Sequence, residues 1–413
     1  MTIFVLLSIL VSLAALFSLI SSRVLRLPIT VGVMLLSLCT SALLLAAGRV
    51  MPALHTTVAA LMSRIDFTQL VLHGMLAFLL FAGALQLDLK QLAKEKLPVL
   101  VLSIFGTLLS TAIVAALLKL ISLAVGLKVG LITCLLFGAL ISPTDPIAVL
   151  EMLRRVGASP SLETQLAGES LFNDGVGAVL FLTLLGLSAG GSRPTVFGFT
   201  WLLLIKAGGG IALGLALGYG VYRLLRLVDI YRIEVLLTIA LTMGGYALAD
   251  VLGLSAPLEA VAAGLVVGGR ARSIAMSPLT RDHVDKFWEL ADDTLNVILF
   301  LLLGLELLIM PWNREYVYAG LLAIPAVLLA RWISVSASLG LVRIFRRPAR
   351  GTVSILTWGG LRGALAIALA LSLPAGAARN QVLAITYSVV IFSIVIQGLT
   401  MGRLLRRFSP VAR

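Results

Sequence analysis

The segment Gly168–Gly177 reads GESLFNDGVG and places Glu169, Ser170, Asn173 and Asp174 inside an otherwise apolar run. An ionised carboxylate in hydrocarbon costs several kcal/mol, so such residues stay there only with a partner or a task. On a helix, residues four apart share a face. Ser170 and Asp174 therefore present a hydroxyl and a carboxylate together, half of an oxygen shell for a hard monovalent cation, which takes oxygen ligands as calcium and magnesium do. Glu169 and Asn173 share the neighbouring face. A second cluster is SPTDP, Ser142–Pro146, where Pro143 and Pro146 each remove a backbone donor and force the helix open near Thr144. The opened Thr144–Asp145 backbone supplies carbonyl oxygens and a second carboxylate opposite Asp174. A third is WGGLRG, Trp358–Gly363, whose glycines loosen a helix around Arg362. Glu169 needs a cation. Arg331, in LLARWIS, is the first candidate and Arg362 the second.

Desolvation disfavours the charged form of a carboxylate. Asp174 in a partly dry cavity then holds either a proton or a metal cation, and that competition suffices for exchange of one for the other. A paired charge transports nothing, so Glu169–Arg331 is expected to be a structural ion pair. Asp250, Glu259 and Glu306 fall nearer span ends and are read as interfacial or structural charges.

The elements that carry these residues are membrane helices. The chain has 413 residues, 60% hydrophobic and only 12% charged, too much apolar surface for a soluble domain of this size. Mean hydropathy is +1.09, and apolar runs of helix-spanning length recur throughout. The short alternating segments of a transmembrane barrel are missing. The net charge of +13 does not indicate nucleic acid, because the Lys and Arg sit in short loops between apolar runs. The fold class is thus all-α and polytopic, with about thirteen spans near 2–21, 28–47, 66–87, 97–123, 128–151, 161–188, 198–223, 233–252, 254–269, 288–310, 316–342, 351–373 and 380–402. The polar stretch 269–288, containing RDHVDKF, is expected as a cytoplasmic amphipathic connector. Alternate loops carry the cations Arg23/Arg26, Lys90/Lys94/Lys96, Arg154/Arg155, Arg223/Arg226, Arg270/Arg272, Arg343/Arg346/Arg347/Arg350 and Arg403/Arg406/Arg407. The opposite loops hold single charges such as Arg49, Arg193, Arg314 and Arg379. The positive-inside rule then sets the N-terminus outside and the C-terminus in the cytoplasm. The first apolar run lacks a basic leader, so it is expected to be a retained span. Breaks in one span of each half point to inverted repeats.

Cys39 and Cys134 each lie alone and are expected to be small packing residues. His55, His73 and His283 are too isolated for an enzyme's nucleophile–base or metal constellation, so no enzymatic activity and no cofactor are expected. A channel would want a continuous polar pathway or a repeated filter, and a sensor an appended soluble domain.

SPTDPIAVL followed by AGESLFNDGVGAVLF, then ARW and GGLRGALAIALAL, resembles the sodium/proton exchanger branch of the monovalent cation–proton antiporters. The resemblance covers nearly the whole chain. It implies thirteen helices in a homodimer, with a core at about 97–189 and 316–402 and a dimerisation scaffold at about 1–96 and 198–310. It implies elevator-like alternating access, exchanging cytoplasmic Na+ (or Li+) for external H+ across the cell membrane; a K+/H+ exchanger of the same fold is the alternative. Carried onto this sequence, the ion-binding set is Asp174, Ser170, Thr144, Asp145 and Asn173, with Na+ on Asp174, Ser170 and Thr144. Glu169–Arg331 is the structural pair and Arg362 supports the core. The Asn173–Asp174 pair marks the branch that is typically electroneutral. In LLFAGALQL, Ala82 stands where some relatives carry an acidic residue. The long regulatory tail of many animal relatives is missing, so tail-based control is not expected.

Overall fold

The computed structural model describes residues 3–48, 66–127, 129–189, 195–309, 313–344 and 351–408. Arg49, His55, Arg193, Arg346, Arg347 and Arg350 lie outside them. In chain order the α-helices are α1 (Ile3–Ile20), α2 (Ile29–Gly48), α3 (Leu76–Gln86), α4 (Leu89–Leu100), α5 (Thr107–Val125), α6 (Leu131–Ile141), α7 (Ile147–Arg155), α8 (Pro160–Ala189), α9 (Val196–Leu225), α10 (Tyr231–Val251), α11 (Ala256–Val266), α12 (Pro278–Glu306), α13 (Arg314–Arg343), α14 (Thr352–Gly359), α15 (Ala364–Leu371), α16 (Ala377–Phe392) and α17 (Gly398–Phe408). Wider π-helical turns extend or join several of them, at Ser21–Leu25, Gln69–Met75, Val101–Gly106, Val267–Ala275 and Ser393–Gln397. The protein is an all-helical, multi-pass membrane protein. Among the described residues nine helices are long and apolar enough to cross a membrane. The other four expected crossings are two interrupted helices, the short α11 with its π extension, and α12. Length and composition do not establish that each of these four spans, so the count of thirteen remains an expectation.

Two boundaries differ from the sequence reading, each for a capping reason. The fourth crossing begins at Leu89, because the Asp88 side chain accepts from the N–H groups of Lys90 and Gln91 and starts the helix inside the basic stretch. The stretch 269–288, expected as an amphipathic connector, is helical on both sides of a short break at 276–277. One helix runs on to Ala275, and α12 begins at Pro278, with Ser277 as its N-cap and proline in its first turn. The i,i+4 pair Lys286–Asp282, at 2.7 Å, supports the polar end of α12.

The helices pack in two groups. In one, α8 lies against α4 and α6, and α13 against α5, α14 and α16. In the other, α11 lies against α3, α9 and α10, and α12 against α2 and α3. The groups meet where α8 packs on α9 and α11 and where α15 touches α12. Cys134 is buried as expected, but Cys39 is exposed, although Ser37 and Ser41 on either side of it bond to α12.

Glu259, expected as an interfacial or structural charge, is wholly buried, and its two carboxyl oxygens have no hydrogen-bond partner among the described residues. The chain turns at Gly253 (φ 67°), and the Ser255 N–H bonds the Lys206 carbonyl on α9. Helix α11 thus follows an exposed turn at 251–253 and is buried from Ala256 onward. Glu306 is likewise buried, whereas Asp250 is exposed and lies 4.0 Å from His73. His283 stacks on Tyr231, ring centroids 4.6 Å apart.

Candidate ion-binding site

The two breaks expected from proline and glycine meet each other. Helix α6 ends at Ile141 and α7 begins at Ile147; α14 ends at Gly359 and α15 begins at Ala364. Between them the Asp145 N–H donates to the Leu361 carbonyl at 2.8 Å, an isolated antiparallel bridge. Each break thereby satisfies part of the other's backbone, as buried peptide groups require. Gly363 lies so close to the Asp145 carboxylate, and Gly360 to Thr144 and Arg331, that a Cβ on either would collide. Gly363→Ala is expected to push the breaks apart at an overpacking cost of about 1–3 kcal/mol. A thermal melt of the purified variant in detergent measures it, and an unchanged midpoint would contradict the close crossing.

The freed groups have specific partners. The Ser142 hydroxyl donates to the Gly138 carbonyl at 2.7 Å and accepts from the Ser110 hydroxyl, 3.0 Å away. The Arg362 guanidinium donates through Nη1 to the carbonyls of Ser142 and Pro143, the latter at 2.8 Å. Its positive charge thus covers the C-terminal end of α6, where the helix dipole is negative. Asp145 Oδ1 accepts from the Ile147 N–H at 3.0 Å and opens α7.

Helix α8 passes beside the first break. Ser170 Oγ donates to the Thr144 carbonyl. Asn173 Nδ2 donates to Thr144 Oγ1 at 3.0 Å, and the Thr144 N–H donates to Asn173 Oδ1 at 3.3 Å. Both polar atoms of Asn173 are therefore committed to Thr144. Asn173, expected among the ion ligands, is turned by the crossing onto the opened backbone and orients Thr144. Asp174, one residue on, is half-buried and makes no hydrogen bond or ion pair among the described residues. Asp145 and Arg362 lie within its electrostatic reach.

Glu169 and Arg331 form a bidentate ion pair, Nη1 to Oε1 and Nη2 to Oε2, the second contact at 3.0 Å. Arg331 also donates to the Leu356 carbonyl from Nε (3.3 Å) and Nη2 (3.0 Å). Glu169 is 0% and Arg331 4% exposed, so the pair is isolated from water. Of the two candidate cations, Arg331 takes Glu169, and Arg362 goes to the carbonyls of the first break.

The sequence reading passed over Asp292. It lies on α12, accepts from Asn296 Nδ2 at 3.0 Å, and is within electrostatic reach of Asp145 across the junction of the two helix groups. Its signal was the i,i+4 spacing to Asn296 at the point where α12 turns apolar. Ala82 is buried in α3 and offers no ligand atom.

The family model described as "Sodium/hydrogen exchanger, transmembrane" matches residues 9–407. The chain is similar to the Na(+)/H(+) antiporter NhaP of Pseudomonas aeruginosa, 44% identical over 402 residues, 96% of this chain and 95% of that protein. It is 35% identical over 352 residues to the Na(+)/H(+) antiporter NhaG of Bacillus atrophaeus, covering 83% of this chain and 64% of that longer protein. The solved sodium proton antiporter MjNhaP1 of Methanocaldococcus jannaschii has the same fold, with a TM-score of 0.77 at 20% identity over 98% of both chains. The crossed breaks, the buried ion pair and a sequence match along almost the whole length lead to one conclusion: the chain belongs to the sodium/hydrogen exchanger family.

Proposed function

We propose that this protein is a secondary antiporter that exchanges cytoplasmic Na+ or Li+ for external H+, one for one, at Asp174. The observation that carries this reading is the unpartnered Asp174 carboxylate facing an opened backbone. Thr144 offers its carbonyl and hydroxyl oxygens there, Ser170 its hydroxyl, and Asp145 a second carboxylate. Protonated Asp174 releases H+ as the cation binds, and the cation leaves as the proton returns. Both loaded forms leave the site with the same charge, whereas the empty carboxylate carries an uncompensated one. Crossing hydrocarbon with that charge is costly, which ties release of one ion to capture of the other.

The moving part is the core at about 97–189 and 316–402, sliding in an elevator-like motion against the scaffold at about 1–96 and 198–310. The protein works as a homodimer in the cell membrane, with its N-terminus outside and its C-terminus in the cytoplasm. The basic residues of alternate loops support that orientation. Asn173 supports the one-for-one ratio, since only Asp174 of the Asn173–Asp174 pair can release a proton.

The test is transport by purified protein in proteoliposomes with an imposed pH gradient and Na+, Li+ or K+ added in turn. Na+ and Li+ are expected to dissipate the gradient; dissipation by K+ alone would replace the sodium reading with a potassium one. One cation against one proton moves no net charge. Clamping the membrane potential with K+ and valinomycin is therefore expected to leave the Na+/H+ equilibrium point unchanged. A shift of that point with voltage rejects the one-for-one ratio.

A further inference from the structure

The second break frees backbone groups on both of its sides, and one neighbouring helix turn takes up one from each. The Arg362 N–H donates to Ser393 Oγ at 2.9 Å. The Trp358 carbonyl accepts from Gln397 Nε2 at 2.9 Å. Ser393 and Gln397 are the first and last residues of the π-helical turn that joins α16 to α17, closed by the Gly398 N–H on the Ser393 carbonyl. Both side chains are buried. π turns inside helices are rare and are frequent at functional sites.

The chain of contacts continues to the ion site. Arg362, held at its N–H by Ser393, reaches the first break through Ser142 and Pro143. Leu361, between the two anchored residues, accepts from the Asp145 N–H. The anchors of one break thus set the position of Thr144 and Asp145 in the other. We propose that Ser393 and Gln397 are positioning residues for cation binding: they hold the second break so that the oxygens of the first stand at the right distance from Asp174. This rests on the reading that the cation is held by Asp174, Ser170 and Thr144. Neither residue touches the cation.

The experiment measures the half-saturating Na+ concentration and the melting temperature of the full-length protein in proteoliposomes and detergent, respectively. Ser393→Ala removes the acceptor for Arg362 N–H. It is expected to raise the half-saturating Na+ concentration about five- to tenfold, the size of one buried hydrogen bond. Ser393→Thr keeps the hydroxyl and is expected to restore the wild-type value. Gln397→Leu is expected to act in the same direction as Ser393→Ala. The control is Thr238→Val, which removes the acceptor of Trp288 Nε1 (3.0 Å) between α10 and α12. It is expected to lower the melting temperature and leave Na+ half-saturation alone. If Ser393→Ala and Gln397→Leu lower the melting temperature as Thr238→Val does, with Na+ half-saturation unchanged, the two residues are only structural and the proposal is overturned. Should Ser393→Ala fail to fold, Ser393→Cys keeps the volume, weakens the acceptor and is judged by the same two measurements. Wild-type protein that moves no Na+ would instead remove the exchange reading, and this proposal with it.

Discussion

Asp174→Asn is expected to abolish Na+-driven proton movement while leaving the protein folded. The substitution keeps the shape and removes the charge. Asp174 makes no hydrogen bond or ion pair among the described residues, so asparagine there strands no partner, and the crossing of Thr144, Ser170 and Asn173 is untouched. What disappears is the one group able to exchange a proton for a cation. At about 4 Å and an effective dielectric of about 20, a unit charge is worth about 4 kcal/mol to a bound cation, about a thousandfold in affinity. The loss of the titrating proton stops exchange even where a cation still enters. The measurement is the initial rate of Na+-induced dissipation of a pH gradient, with the melting curve as the folding control. Wild-type rates in well-folded Asp174→Asn protein would end the case for Asp174 and require another carboxylate. Asp292 would then be the next to test, because it lies within electrostatic reach of Asp145 on the facing helix.

The parts of this site that were legible in the sequence are those fixed by covalent chemistry or helical spacing. Pro143 and Pro146 lack donors wherever the chain goes, so the break at Thr144 could be read directly. Ser170 and Asp174 share a face in any helix. The role of Asn173 was not legible, because an amide at that position serves equally as a ligand or as a clamp on backbone. Only the crossing angle of α8 over the first break decides, and it gives both amide atoms to Thr144. The burial of Glu259 was not legible for a related reason. The turn at Gly253 bonds through the Ser255 N–H to α9, and the helix after it is buried from Ala256, which spacing along the sequence does not reveal. Asp292 falls inside the expected span 288–310, but its nearness to Asp145 depends on how α12 packs against the first break, which spacing along one helix does not give. The π turn at Ser393–Gln397 has no sequence signature at all. It supplies partners for the Arg362 N–H and the Trp358 carbonyl that only the assembled fold brings near.

Arg331→Ala is expected to be the most destabilising single change at the site. Removing one partner of a buried ion pair costs about 3–5 kcal/mol, because the other charge stays in low dielectric without compensation. Here the stranded group is Glu169, 0% exposed, and the Leu356 carbonyl loses both of its guanidinium donors as well. Adding Glu169→Ala removes the stranded charge and is expected to recover part of the loss, so the double mutant melts above Arg331→Ala alone. Arg362→Ala is a different case. Its guanidinium is hydrogen-bonded to the Ser142 and Pro143 carbonyls rather than to Glu169, so its loss exposes the end of α6 and leaves the Glu169–Arg331 pair in place. Combining Arg362→Ala with Glu169→Ala is expected to give nearly additive effects, with a coupling well below that of the Arg331 cycle. Melting temperatures of the four proteins in each cycle measure both couplings under one condition. A large coupling for Arg362 together with a small one for Arg331 would reverse the assignment. It would place the salt bridge across the second break and leave Arg331 to the Leu356 carbonyl alone.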